Sequence, residues 1–246
     1  MIHKYFELPQ AVLLNKKLTK KIITEGNKLS ANDKKLLNSI NSINIYGVLT
    51  SENYTILPLI NTQEDYSELL FLNVDLKTKI APSKINTFLQ KLMPRPLIIV
   101  FSFQGENAFG YALKNINQVD ITKRTITEME VTRWIDATQI EQNHPKFRDD
   151  LNIALYTHTN LKEFYLSFVK RVQLLRIAIA ENTSYEFLDT LQLENKRQNQ
   201  REKENLEAEI STLRSQLKQT QSFGNQVALN QHIQGLKLEI KQLEIG

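Results

Sequence analysis

The chain contains no cysteine. Disulfide staples, thiolate zinc sites and cysteine nucleophiles are excluded together, and an intracellular setting is compatible with that composition. Histidine is nearly as scarce. His3, His144, His158 and His232 lie far apart without ligand-like spacing, so no zinc site is expected. No apolar run reaches the ~18–20 residues needed to span a bilayer. The opening segment "MIHKYFELPQAVLLNKKL" has only a short apolar stretch, preceded by Glu7 and Pro9, and no small-residue cleavage site. A secretion signal is not expected there, and a cytoplasmic location is. Gly105 and Gly110 do not make a phosphate-cradling loop, and neither a P-loop nor a methyltransferase-type glycine-rich loop occurs. The chain is thus not by itself a standard ATP-driven helicase or methyltransferase, and no cofactor is expected.

What is present suits a globular chain. At 246 residues and 41% hydrophobic content it can bury one good core with length left for a second element. The net charge of +4 is mildly basic, but its distribution is uneven. Lys16, Lys17, Lys20, Lys21, Lys28, Lys34 and Lys35 crowd the first 35 residues, forming a candidate patch for nucleic-acid phosphates. Arginine is absent before Arg95 and few aromatics interleave with these lysines. Weak, non-specific DNA contact is therefore the form such binding would take, and the alternative is a solvated helix face.

Residues 9–25 and 31–42 read as short helices, with caps expected at Ser30 or Asn32. The period then changes. "INIYGVLT", "YTILPLI" and "SELLFLNVDL" read as strands, "APSKINTFLQKLM" as a helix opened by Pro82, and "RPLIIVFSF", "AFGYALK" and "TITEMEVTRW" as further strands. From about Asp149 helices return, and Leu161, Phe164, Tyr165, Phe168, Val172, Leu175 and Ile179 form a stripe suited to covering a sheet. The expected fold class is α/β with α+β character: a mixed, mostly antiparallel sheet with flanking helices. Residues 1–42 are expected as a basic helical segment packed on an α/β core at 43–185.

Beyond Tyr185 the chain lacks proline and almost all aromatics. Leu206, Ile210, Leu213 and Leu217 repeat at four-three-four spacing; Ile233, Leu236, Ile240 and Leu243 follow at three-four-three. The two runs are out of phase by two positions, and Gly224 and Asn225 between them offer a tight turn. Residues 186–246 therefore read as a coiled-coil helical hairpin, with a long irregular rod as the alternative. Its apolar seam can pair internally, with a second copy in a homodimer, or with a partner helix.

The stretch "ELLFLNVDLKTKI" carries the one pattern that suggests catalysis. Asp75 and Lys77 are two apart on a strand and so share a face, as a metal-dependent nuclease would require, with Asp65 as the earlier acid. Against this, Asp65 precedes the strand that Asp75 ends. With about 3.3 Å of rise per residue the two carboxylates are expected about 30 Å apart, too far to share a metal. No catalytic residue is assigned on this reading; Asp65, Asp75 and Lys77 are the candidates if the nuclease alternative holds.

The layout resembles the bacterial family called domain of unknown function 4391. The likeness rests on "ELLFLNVDLK", "MPRPLIIVF", "AFGYALK" with Lys114, "VTRW" with Trp134, and the tail "QSFGNQVALNQHIQGLKLEIKQL". In the tail Phe223, Val227, Leu229 and Asn230 match the family pattern, while Gly224, Asn225 and Gln226 depart from it where basic residues are usual. The resemblance implies a chain encoded beside DNA helicases and DNA methyltransferases in restriction or phage-defence clusters. It thus implies a helicase or methyltransferase partner rather than a reaction. Phe223, Val227 and Asn230 join the seam residues as expected partner-binding positions, with a stand-alone DNA-binding module as a further alternative.

Overall fold

The computed structural model describes residues 3–25, 28–186, 190–220 and 222–243. The chain divides into two compact units, Met1–Phe187 and Leu188–Gly246. The first runs α1 (His3–Phe6), β1 (Leu13–Leu18), α2 (Lys20–Thr24), α3 (Ala31–Ser39), β2 (Ile40–Thr50), β3 (Leu59–Ile60), β4 (Asp65–Tyr66) and β5 (Glu68–Leu76). It continues with α4 (Pro82–Leu92), β6 (Leu97–Phe103), β7 (Glu106–Ile116), β8 (Arg124–Val131), β9 (Ile135–Asp136), α5 (Ala137–Asn143), α6 (Pro145–Asp150) and α7 (Leu161–Glu181). The second unit consists of α8 (Thr190–Gln219) and α9 (Phe223–Leu243).

A seven-stranded mixed sheet in the order β1-β2-β5-β6-β7-β8, with β9 also paired to β7, forms the centre of the first unit. Only β5 and β6 pair in parallel, and α4 is the crossover that joins them. The alternation of "LLFLNVDL" sorts β5 into two faces. Leu70, Leu72, Val74 and Leu76 meet Ile85, Phe88 and Leu89 of α4 and Leu37 of α3. The other face carries Phe71, which takes the ring of Phe6 edge-on at 5.3 Å; Phe6 in turn lies 5.9 Å from Phe168 of α7. The first unit is therefore layered, with α2, α3 and α4 on one side of the sheet and α1 and α7 on the other.

Local chemistry explains most boundaries. Ser30 and Asp33 form a reciprocal capping box at the start of α3. The side chain of Asn160 accepts from Glu163 N at 3.0 Å to open α7, and Asn182 closes that helix in the left-handed region at φ 54. Lys114 is only 4% exposed, and its ammonium donates to Met93 O at 2.7 Å and Arg95 O at 2.9 Å. It thereby satisfies carbonyls where α4 ends and the "MPRP" segment enters β6.

Three expectations need correcting. Residues 9–25 are not one helix: Leu13–Leu18 is the edge strand β1, paired antiparallel to β2, and only Lys20–Thr24 is helical. The open edge of β2 offers backbone partners that outweigh a weak local preference, and Asn15 at φ 51 sits in the bulge between Leu13 and Lys16. "YTILPLI" does not join the main sheet. Only Leu59–Ile60 is strand, paired with β4, because Pro58 has no N–H to offer and Leu57 bridges to Asn160 instead. The strand in "TITEMEVTRW" stops at Val131, and Trp134 lies beyond it, half-buried, with Nε1 donating to Ile80 O at 2.8 Å.

In the second unit α8 and α9 pack on each other as a hairpin through Ile210, Leu213, Ile233 and Leu236, flanked by Leu206, Leu229 and Ile240. The structure thus takes the hairpin over the rod. The seam takes Leu206, Ile210 and Leu213 from α8 and Leu229, Ile233, Leu236 and Ile240 from α9, so Leu229 rather than Leu243 completes the second ladder. The turn is earlier than expected. Gly224 and Asn225 lie inside the first turn of α9, and Gln226 folds back so that its Nε2 donates to Thr220 O at 2.7 Å. Gly26, which lies between the two segments read as helices, and Gln221 are outside the described residues.

Candidate functional site

The register places Ser42, Asp75, Ser102 and Asn107 side by side across β2, β5, β6 and β7. Directly paired residues share a face, so this is a polar row at the carboxyl ends of the two parallel strands. Asp75 is held there by Asn41 Nδ2 at 2.6 Å and Ser102 Oγ at 3.3 Å. Lys77 follows the strand with an exposed side chain, and its N–H donates to Ser39 O at 2.8 Å.

Asp65 belongs to a different cluster. Arg95 Nη1 reaches it at 2.6 Å and Arg124 Nη2 at 2.9 Å, while Ser67 Oγ donates at 2.7 Å. Burial alone would raise its pKa; Ser67 and the two guanidiniums outweigh that and hold the carboxyl below the usual range. Arg95 Nε also pairs with Glu68 at 2.8 Å, which fixes Asp65 at the start of β5. Asp75 lies seven residue steps along the strand from Glu68, roughly 23 Å at about 3.3 Å per step. The structure does not bring Asp65 to Asp75, and among the described residues no group of three or more His, Cys, Asp or Glu side chains is placed to hold a metal ion.

The lysines do converge, though in a different grouping from the one the sequence suggests. A groove of about 610 Å³ runs between α3 and α4, lined by Lys35, Lys84 and Lys91 together with Asn32, Ser83 and Thr87. Its apolar floor is Leu36, Ile80 and Phe88, and its one carboxylate, Asp33, is already committed to the cap of α3. Lys16 pairs with Ile45, which packs on the same side of the sheet as α4, whereas Lys17 pairs with Asn44 and faces the other side. The pKa of Lys20 is lowered, first by burial and then by the like charge of Lys77. Lys21 is spent on Glu25 at 3.6 Å, and Lys28 and Lys34 are exposed. Lys84 and Lys91 are the members that reading the N-terminus alone misses, because their neighbours in space are more than forty residues away in sequence. The signal lay in α4 itself, whose apolar stripe fixes which lysines face outward.

In the hairpin, Ile210, Leu213, Ile233 and Leu236 are buried between the two helices, and Leu206 and Ile240 pack beside them. Leu217 and Leu243 are half-buried. Val227 and Asn230 are exposed on α9, and so is Leu238, 63% exposed. The side chain of Phe223 lies outside the described part of the molecule. Among the described residues no helix is long and apolar enough to cross a membrane.

The architecture defines the class: a mixed α/β domain followed by a helical hairpin. The chain belongs to the family described as domain of unknown function (DUF4391), whose model matches residues 6–240. No curated protein and no solved structure matches it.

Proposed function

We propose that this chain is a non-catalytic interaction subunit of a bacterial DNA-processing or restriction/phage-defence assembly. The groove between α3 and α4 contacts nucleic-acid phosphates, and the hairpin engages a protein partner. The observation that carries this reading is the meeting of Lys35, Lys84 and Lys91 on one groove whose only acid is already hydrogen-bonded to Ser30. Ammonium groups on a polar rim bind phosphates as point charges without reading bases. The seam of the hairpin is satisfied internally, so a partner helix meets its outer faces, where Val227, Asn230 and Leu238 stand exposed. A helicase or methyltransferase is the partner that the family resemblance suggests. The nuclease alternative needs a second acid beside Asp75, and Asp65 is committed to Arg95 and Arg124 instead.

The test is duplex-DNA binding by the full chain and by the triple variant Lys35→Gln, Lys84→Gln, Lys91→Gln. The variant is expected to bind at least ten-fold more weakly at fixed salt. With Mg²⁺ or Mn²⁺ added, linear and circular DNA are expected to stay intact. Cleavage that disappears in the Asp75→Ala, Lys77→Ala double variant would replace this reading with the nuclease one.

A further inference from the structure

The groove between α3 and α4 has two basic banks and an apolar floor. Lys35 stands on the α3 bank. Lys84 and Lys91 stand on the α4 bank, seven residues apart and so about 10 Å along the helix axis. All three lysines are exposed, and none forms an ion pair among the described residues. Asp33, the acid at the rim, accepts from Ser30 N at 3.0 Å and from Ser30 Oγ at 2.7 Å. Those bonds lower its pKa first, and Lys91 adds to the same direction last.

Between the banks lie Leu36 and Ile80, both half-buried, and Phe88, which is 6% exposed. Phe88 belongs to the core on this side of the sheet and Leu36 packs against it, so the floor is fixed in place.

Phosphate contact alone makes no use of such a floor. In a duplex the bases are paired and stacked inside, so its phosphates reach the lysines while Leu36 and Ile80 stay in water. An unpaired strand carries the same charge on its backbone, and its sugars and bases are free to turn onto an apolar surface. Removing that surface from water favours the strand over the duplex. No arginine lines the groove and its one aromatic ring is buried, so aliphatic contact rather than stacking or base reading supplies the preference.

We infer that this groove binds an unpaired nucleic-acid strand in preference to a duplex. The backbone meets Lys35, Lys84 and Lys91, and sugars and bases cover Leu36 and Ile80. The inference rests on the phosphate-binding reading of the groove and adds the form of nucleic acid that it takes.

The full chain is titrated at one salt concentration with dye-labelled DNA of equal length. The probes are a single strand that does not pair with itself, the duplex of that sequence, and an abasic strand with the same phosphates. The single strand should bind at least about ten-fold more tightly than the duplex or the abasic strand. Trp134 is the only tryptophan of the chain, and its Nε1 donates to Ile80 O at 2.8 Å, so its emission should change saturably with the strand. Leu36→Asn, with an unchanged circular-dichroism spectrum, should lower the strand-to-duplex ratio at least about three-fold. Equal affinity for strand and duplex, or for the strand and its abasic form, would overturn the inference and leave the phosphate reading standing. Displacement of the strand by a polyglutamate peptide of equal charge at equal concentration would overturn it too, since charge alone would then suffice. Binding of neither strand nor duplex, or full strand affinity in the triple lysine variant, would remove both readings.

Discussion

Tyr165 shows how a single hydroxyl can set a sheet. It accepts from Ala112 N at 3.1 Å and lies 3.0 Å from Leu97 O and 3.1 Å from Ala112 O, beyond the point where β6 and β7 cease to pair directly. Tyr165→Phe leaves a buried N–H without a partner and should cost about 1–3 kcal/mol in a urea titration. Gly110 is needed for a different reason. A Cβ there would stand 2.6 Å from Asn86 Oδ1, the side chain that ties α4 to β7 and β8 through Tyr111 O and Glu130 O. Gly110→Ala should therefore destabilise the fold by roughly 1–3 kcal/mol, as overpacking does. Lys114 carries a pH signature. Burial, and then the charge of Arg124, pushes its pKa down to about 7, well below its unfolded value. Between pH 7 and that value the unfolded chain binds the extra proton, so this group makes stability rise with pH there. Its contribution is at most about 1.4 kcal/mol per pH unit. Comparing wild type with Lys114→Met across pH 7–10 should show a steeper rise in the wild type.

At the scale of elements, β5, α4, β6 and α7 were readable because each has a strong period and a full apolar face. β1 was not. "LLNKKL" has little to bury, and its state is decided by the free edge of β2, which no local pattern announces. Lys16 and Lys17 on that edge also discourage pairing with another chain, a duty separate from any phosphate contact. The Asp75 face was legible from alternation, whereas its neighbours Ser102 and Asn107 depend on strand order and register, which are tertiary facts. In the tail the leucine ladder was legible, but the seam took Leu229 and placed the turn before Gly224. Since Ile210 and Ile233 are buried in that seam, Ile210→Asp should unpair the hairpin. Helical ellipticity of the full chain should fall measurably, whereas Leu238→Asp on the exposed face should leave it unchanged.

For the whole molecule, Tyr185 marks where the first unit closes. It is 2% exposed, its hydroxyl donates to Asp150 at 3.0 Å, and its ring meets Phe147 edge-on at 5.3 Å. Limited proteolysis should cut within 186–205 and leave a stable core that retains Tyr185; digestion of both units at one rate would argue against two units. Tagged full-length chain should capture a helicase or methyltransferase that a chain ending at Glu186 does not. Equal capture by both would move the partner surface to the core. The central claim is that three lysines from two helices act together on phosphates. The most direct measurement is the salt dependence of duplex-DNA affinity for wild type and for the Lys35→Gln, Lys84→Gln, Lys91→Gln variant. Each lost phosphate contact lowers the slope of log K against log salt by about 0.9, so the variant's slope should be shallower by about 2–3. Identical slopes and affinities for the two chains would contradict the account.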